Sequence, residues 1–485
     1  MLNISIPRIV VSGLRGGGGK TILSLSLVAS LKQRDMEVVT FKKGPDYIDA
    51  GWLARASGAP CYNLDLFIMS PEQALHSFVS RTTSLFSIAP GGFTAIVEGN
   101  RGLYDGVDHQ GTYSTAELAK LLCAPVIVTV DCTKATNTVA AMILGCQRMD
   151  PGVDIKGVVL NRVATPRQES VIRRAVNERC GLPVLGAIPR LKKNPIPERH
   201  MGLIPFQEHG NIEESIALLA ETGSRYVDTD AVLKIAASAA PMRKADAGRS
   251  TATADNSPGP TGCGPRIGVI RDSAFQFYYQ ENFEEIERLG ASIVEVSPLR
   301  EDRLPELDAL YIGGGFPETH AIALADNAGF RASLYNAIQE GFPVYAECGG
   351  LMYLGRRLVL GGSTYPMVGA LPVTFGLRKR PLAHGYTIVE VERDNPYFHR
   401  RKLFKGHEFH YSEVLEMEED GAYMAFKVKR GKGIVDNMDG MCYKNVFAAY
   451  THLHAVGTPE WAAGLVRCAQ RYNRQKPVRR EGGNL

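Results

Sequence analysis

No apolar stretch in the chain reaches the roughly 18 to 20 residues that a membrane-crossing helix requires. The opening MLNISIPRIVVSG also lacks the charged start and long apolar segment of an export signal. Both features point to a cytoplasmic protein with no membrane partner. Tryptophan occurs only twice, and none of the nine cysteines (61, 123, 132, 146, 180, 263, 348, 442, 468) belongs to a CxxC pair. That scatter argues against a zinc ribbon or a disulfide framework and leaves most of the thiols as small core residues. Surplus charge is scarce as well, since 55 Lys and Arg stand against 51 Asp and Glu for a net +4. So small an excess gives no general surface for nucleic acid, although a local basic site for an anionic substrate is compatible with it.

What remains is an ordinary globular composition, 45% hydrophobic and 22% charged over 485 residues. At roughly 150 residues per domain, that length predicts two to four domains. From residue 1 to about 235, β-branched runs at 8–12, 37–41, 93–99, 126–131, 157–163 and 184–189 alternate with helical stretches. Continuous apolar runs of this kind predict buried strands of a parallel sheet, with helices as the crossovers. Residues 236–265 hold almost no bulky apolar side chain and are dense in Ala, Ser, Thr, Gly and Pro. They read as a flexible linker. The α/β rhythm restarts at 266 and continues to 485, with more antiparallel strands toward the end. No internal repeat is visible. The expected fold class is α/β, two unlike α/β domains, the first with a mainly parallel sheet.

The first run leads into Gly13-Leu14-Arg15-Gly16-Gly17-Gly18-Gly19-Lys20-Thr21 and then an apolar helix. Strand, glycine loop and helix in that order form a phosphate cradle. The glycines let backbone N–H groups curl around phosphate oxygens, Lys20 brings a cation, and the Thr21 hydroxyl can ligate Mg²⁺. The strict pattern GxxxxGK[ST] puts its first glycine at 14, whereas here it comes one residue early, at Gly13. Two acidic segments follow later strand ends: Lys42-Lys43-Gly44-Pro45-Asp46-Tyr47-Ile48-Asp49, and the run from Glu98 to Asp105. Ligands of open α/β sheets bind at this edge. Asp46 and Glu98 are therefore expected to complete a Mg²⁺ shell with Thr21. Asp49 and Asp105, with Lys43 and Tyr47, are left to orient substrate.

In the second half, Cys348 sits in Tyr345-Ala346-Glu347-Cys348-Gly349-Gly350, between an apolar run and a helical one. Strand, sharp turn and helix expose a nucleophile and aim a helix start at it, which favours thiolate. The base is expected from Tyr450-Thr451-His452-Leu453-His454, and Gly313-Gly314-Gly315 could supply backbone donors to an oxyanion.

Taken together, GLRGGGGKT, KKGPDYID, EGNRGLYDG, IGGGFPE, ECGG and YTHLH resemble the cobyrinate a,c-diamide synthase family. The resemblance spans both halves. It implies an N-terminal P-loop synthetase domain, similar to dethiobiotin synthetase, that uses ATP and Mg²⁺ to phosphorylate carboxylates of a tetrapyrrole. It also implies a C-terminal class I glutamine amidotransferase domain that supplies ammonia. The family's phosphate loop includes the early glycine, matching Gly13 and Gly16 to Thr21. Its nucleophile falls on Cys348 and its histidine on His452, with His454 second. Gly314 and Gly315 fall in the oxyanion loop. No acid stands just after His452, where Ala455, Val456 and Gly457 follow the second histidine, so the resemblance implies a Cys–His dyad. The partners implied are ATP, L-glutamine and a corrinoid or related tetrapyrrole polycarboxylate, and a homodimer is compatible with the sequence. Asn100 and Arg101 depart from the pattern beside the substrate carboxylates and bear on which macrocycle is accepted. Ni-sirohydrochlorin a,c-diamide synthases share the chemistry on another ring. A partitioning-type ATPase has a similar loop, but such a protein has no use for Cys348 and His452.

Overall fold

A computed structural model describes residues 3–86, 92–191, 194–199, 202–243 and 264–476. The chain divides into two compact units, Met1–Ala252 and Thr253–Leu485.

The first unit is built on seven parallel strands: β1 (Arg8–Gly13), β2 (Glu37–Lys43), β3 (Cys61–Leu64), β4 (Phe93–Glu98), β5 (Val126–Asp131), β6 (Ile155–Val163) and β7 (Val184–Pro189). Their order across the sheet is β3-β2-β4-β1-β5-β6-β7. Helices cover both faces, which is why the strands carry apolar side chains without alternation. One face packs residues such as Phe41, Val97, Val128 and Leu160, and the other Ile9, Val11, Leu27 and Trp52. The chain leaves β1 toward β2 on one side and β5 continues on the other. The loops after β1, β2 and β4 therefore gather at a switch point of the sheet.

The structure differs from the sequence reading at the end of this unit. Ala236 and Ala237 still belong to the helix Thr229–Ala237, and Met242–Arg243 pair antiparallel with Asn3–Ile4. Alanine is the strongest helix former, and Ala236 and Ala239 are buried, so scarcity of bulky side chains here marks close packing. The rest of the expected linker, 244–263, lies outside the described residues, as does Cys263.

The second unit carries a nine-stranded mixed sheet. Its strands are β8 (Arg266–Ile270), β9 (Ser292–Val296), β10 (Ala309–Ile312), β11 (Val344–Glu347), β12 (Ala383–Val391), β13 (Leu403–His410), β14 (Tyr423–Arg430), β15 (Met438–Tyr443) and β16 (Val446–Ala449). In the order β9-β8-β10-β11-β16-β15-β14-β12-β13, pairing is parallel as far as β16 and antiparallel beyond it. β11 therefore runs centrally, flanked by β10 and β16, and its carboxyl end meets the segments that follow both neighbours.

Candidate active sites

At the end of β1 the glycine loop turns into the helix α1 (Lys20–Lys32). Gly19 occupies the left-handed region at φ 98°, and a Cβ there would stand 2.0 Å from Asn161 Nδ2. Only glycine fits both demands. Asn161, near the end of β6, donates to the Gly18 carbonyl at 3.2 Å, and the Thr129 hydroxyl approaches the same oxygen at 3.5 Å. Lys20 is buried, and its Nζ folds back onto the Arg15 carbonyl at 3.2 Å. Burial, then the neighbouring Lys42, lowers its pKa. Both effects favour an incoming anion as its partner.

The loops after β2 and β4 bring their acids to the same place. The Thr21 hydroxyl donates to Glu98 Oε1 at 2.8 Å, and Lys42 Nζ reaches Glu98 Oε1 at 2.8 Å and Asp49 Oδ2 at 2.5 Å. Burial by itself would lower Lys42, but Asp49 and Glu98 outweigh it and hold the ammonium above its ordinary range. Burial pushes Glu98 up to about 7, and burial with the Asp49 charge pushes Asp46 up to about 6. One lysine thus serves a cluster rich in carboxylates. Glu98 Oε2 is buried with no hydrogen-bond partner, an orphaned oxygen beside Thr21 that a hard cation fits. Among the described residues no group of three or more His, Cys, Asp or Glu could hold a metal ion.

The other expected residues differ in their surroundings. Asp46 Oδ1 accepts from the Asp49 amide at 3.0 Å, starting the helix Ile48–Ser57. Asp105 Oδ2 accepts from the Gly102 amide at 2.7 Å, which ties it into its own loop. Lys43 is buried, and burial lowers its pKa against the opposing Asp65 charge. Tyr47 stands at the N-cap of the helix that carries Asp49.

In the second unit, Cys348 follows β11 directly with φ 48° and ψ −99° and caps the short helix Gly349–Leu354. A non-glycine residue held there stores of the order of 1–3 kcal/mol of strain, as nucleophile turns do. Its Sγ is 3.8 Å from the Phe409 carbonyl. Burial, then the Glu318 charge, pushes the thiol up. Burial thus opposes the thiolate preference expected from the helix start, and favours a thiol that relies on a base.

His452 lies in the segment after β16. Its Nδ1 is 3.1 Å from Glu347 Oε2, and the next amide, Leu453 N, donates to Glu347 Oε1 at 3.1 Å. Its backbone bridges to His407, with the two rings stacked at 4.8 Å. The glycines Gly314 and Gly315 form a two-residue strand against Phe275–Phe277, and a Cβ on Gly314 would come 2.8 Å from His452 Cε1. The Gly350 amide donates to the Gly313 carbonyl at 3.1 Å, which fastens the elbow to this loop. His454 faces elsewhere. Its Nδ1 accepts from Val456 N at 3.2 Å, and its Nε2 is 3.5 Å from Glu281.

Residues 9–204 match the CobQ/CobB/MinD/ParA nucleotide binding domain, and residues 266–459 match the CobB/CobQ-like glutamine amidotransferase domain. A relative from Magnetococcus marinus, named cobyrinate a,c-diamide synthase, is 40% identical over 95% of this chain and 97% of its own length. The chain belongs to the cobyrinate a,c-diamide synthase family. Relatives of the same name from Archaeoglobus fulgidus, 38% identical over 97% of this chain and 99% of theirs, and from Methanosarcina barkeri, 36% identical over 96% and 97%, agree. In this family setting the partitioning-type ATPase reading accounts for the first half only, because the second carries an amidotransferase domain.

Three groups escaped the sequence reading. Lys42 was passed over for Lys43, although strand alternation puts adjacent residues on opposite faces. Asn161 ends an apolar run, and a lone polar residue there was the available signal. Glu347 adjoins the nucleophile, and an acid directly before Cys348 was the available signal for the carboxylate that meets His452 Nδ1.

Proposed function

We propose that this chain amidates the a and c acetate carboxylates of cobyrinate, with ATP and glutamine as co-substrates. The observation that carries the reading is the pairing, in one chain, of a phosphate loop backed by Thr21, Glu98 and Lys42 with a strained, buried Cys348 whose neighbour Glu347 holds His452. The relatives' shared name supports a corrinoid ring over nickel sirohydrochlorin. ATP and glutamine are cytoplasmic metabolites, and the cytoplasm is the proposed site of action. Among the described residues no helix is long and apolar enough to cross a membrane.

A carboxylate oxygen of the ring attacks the γ-phosphorus and ADP departs, leaving an acyl phosphate. Lys20 and the loop amides meet the charge of the moving phosphoryl group. Thr21, Glu98 and Asp46 are the residues that would hold Mg²⁺, whose positive charge, when bound, neutralises phosphate oxygens. Asp49, Asp105, Lys43 and Tyr47 orient the substrate. In the second unit, Cys348 Sγ attacks the glutamine side-chain carbonyl as His452 takes the thiol proton and passes it to departing ammonia. Gly314 and Gly315 would donate to the oxyanion. Water then hydrolyses the thioester, and ammonia displaces phosphate from the acyl phosphate.

The test is purified protein with ATP, Mg²⁺ and glutamine, offered cobyrinate or Ni-sirohydrochlorin in parallel, with mass spectrometry counting exchanges of hydroxyl for amide. Two exchanges on cobyrinate are expected. Exchange on the nickel ring alone, or none on either, would overturn the assignment.

A further inference from the structure

An imidazole that removes a thiol proton becomes a cation, and in a buried site that cation needs a fixed counter-charge on its other nitrogen. The residue two places after His452 is His454, which turns to Glu281, so the segment carrying the base brings no acid of its own to His452. We infer that Glu347 is the positioning acid of the glutaminase site, holding His452 through Nδ1 and balancing the imidazolium that forms when Cys348 loses its proton.

Four observations carry this. Glu347 is fully buried, 0% exposed. Oε2 receives His452 Nδ1 at 3.1 Å and the Tyr311 hydroxyl at 3.1 Å, while Oε1 receives Leu453 N at 3.1 Å, so the carboxylate is clamped in place. With Nδ1 committed to the acid, the proton-accepting nitrogen of His452 is Nε2, the tautomer a base requires. Finally, Glu347 and Cys348 are consecutive, so one peptide unit, about 3.8 Å between Cα atoms, sets the spacing of acid to nucleophile. The strained turn that presents the thiol is continuous with the strand end that presents the acid.

The inference rests on the amidotransferase reading of Cys348, and Cys348→Ala is run beside the test variants to keep the two apart. In the full-length protein, Glu347→Gln keeps the shape and removes the charge. The expected result is a fall in kcat for glutamine hydrolysis of roughly 10² to 10⁴-fold, a nearly unchanged KM for glutamine, and amidation at the parent rate with ammonium salt. Alkylation of Cys348 by iodoacetamide should need a more alkaline pH, which a merely structural residue would not bring about. Glu347→Asp, which restores the charge, should recover part of kcat and the parent pH profile. Glutamine hydrolysis by Glu347→Gln within about tenfold of the parent, with an unshifted profile, would overturn the inference, because a counter-charge is worth more than that. If Glu347→Gln also loses ammonia-dependent amidation, Glu347→Asp decides. A pH profile matching the parent supports the role, and one displaced to alkaline pH overturns it. Retained glutamine use by Cys348→Ala would overturn the amidotransferase reading itself.

Discussion

Gly19 and Lys42 are the two residues on which the phosphate site turns, the glycine half-buried in its loop and the lysine fully buried behind it. Gly19→Ala would force its methyl into the Asn161 amide from a left-handed backbone. The expected outcome is loss of ATP-dependent amidation with glutamine hydrolysis intact, read by separate phosphate and glutamate assays. Lys20→Ala should give the same split, because it removes the cation that meets the phosphoryl group and leaves the second unit untouched. Lys42→Met is a different kind of lesion. It strands the buried Glu98 and the partly buried Asp49 without their ammonium, and removing one partner of a buried pair destabilises by about 3–5 kcal/mol. Thermal unfolding should show the first unit melting roughly 10 °C lower, and an unchanged midpoint would refute the ion-pair account. The phosphate loop itself was legible because a glycine run between strand and helix has few other uses. Lys42 and Asn161 were not, since their roles come from pairings across strands 56 and 143 residues distant that leave no local pattern.

At the scale of elements, strand β13 carries a pair whose charge state is opposite to what its geometry suggests. Glu408 Oε2 and His410 Nε2 stand 3.9 Å apart, yet burial pushes Glu408 up to about 7 and lowers His410 to about 4. Burial thus favours the neutral form of both groups over an ion pair. For His410 the sign is clear. Its folded pKa lies below the ordinary 6.5, so from pH 6.5 down to about 4 the unfolded chain takes up a proton that the folded one refuses. Its contribution to stability is complete above pH 6.5 and is lost as pH falls. Glu408 opposes this, since its raised value makes stability fall as pH rises over much of the same window. His410→Phe, which keeps a ring against Tyr450, should therefore make the slope of unfolding free energy against pH more negative there by up to about 1.4 kcal/mol per pH unit. Denaturant titrations at several pH values would reveal it, and parallel slopes would count against it. The strands themselves were largely readable, because β-branched runs buried on both faces look alike in sequence and structure. β3 was not, as CYNL at the sheet edge is short and half polar. Neither was the fold around Met242, where small residues pack closely and imitate a linker.

For the molecule as a whole, the decisive expectation is that its two chemistries separate by nitrogen source. Cys348→Ala should lose glutamine-dependent amidation and keep the reaction with a high concentration of ammonium salt at mildly alkaline pH. His452→Ala should follow it with some residual glutamine use. Product formed from each donor is the measurement, and failure of Cys348→Ala with ammonia would show that the halves depend on one another. The antiparallel pairing of Asn3–Ile4 with Met242–Arg243 carries a consequence for synthesis. The two partners leave the ribosome about 240 residues apart, which at 5–20 residues per second is a delay on the order of tens of seconds. Through that interval the Arg8 guanidinium cannot yet reach the Ala240 carbonyl that later receives it, and Asn3–Ile4 wait for their partner strand. The first unit can join its two ends only after its whole sheet has been made, so this clasp follows even the Thr129 and Asn161 contacts that complete the phosphate loop.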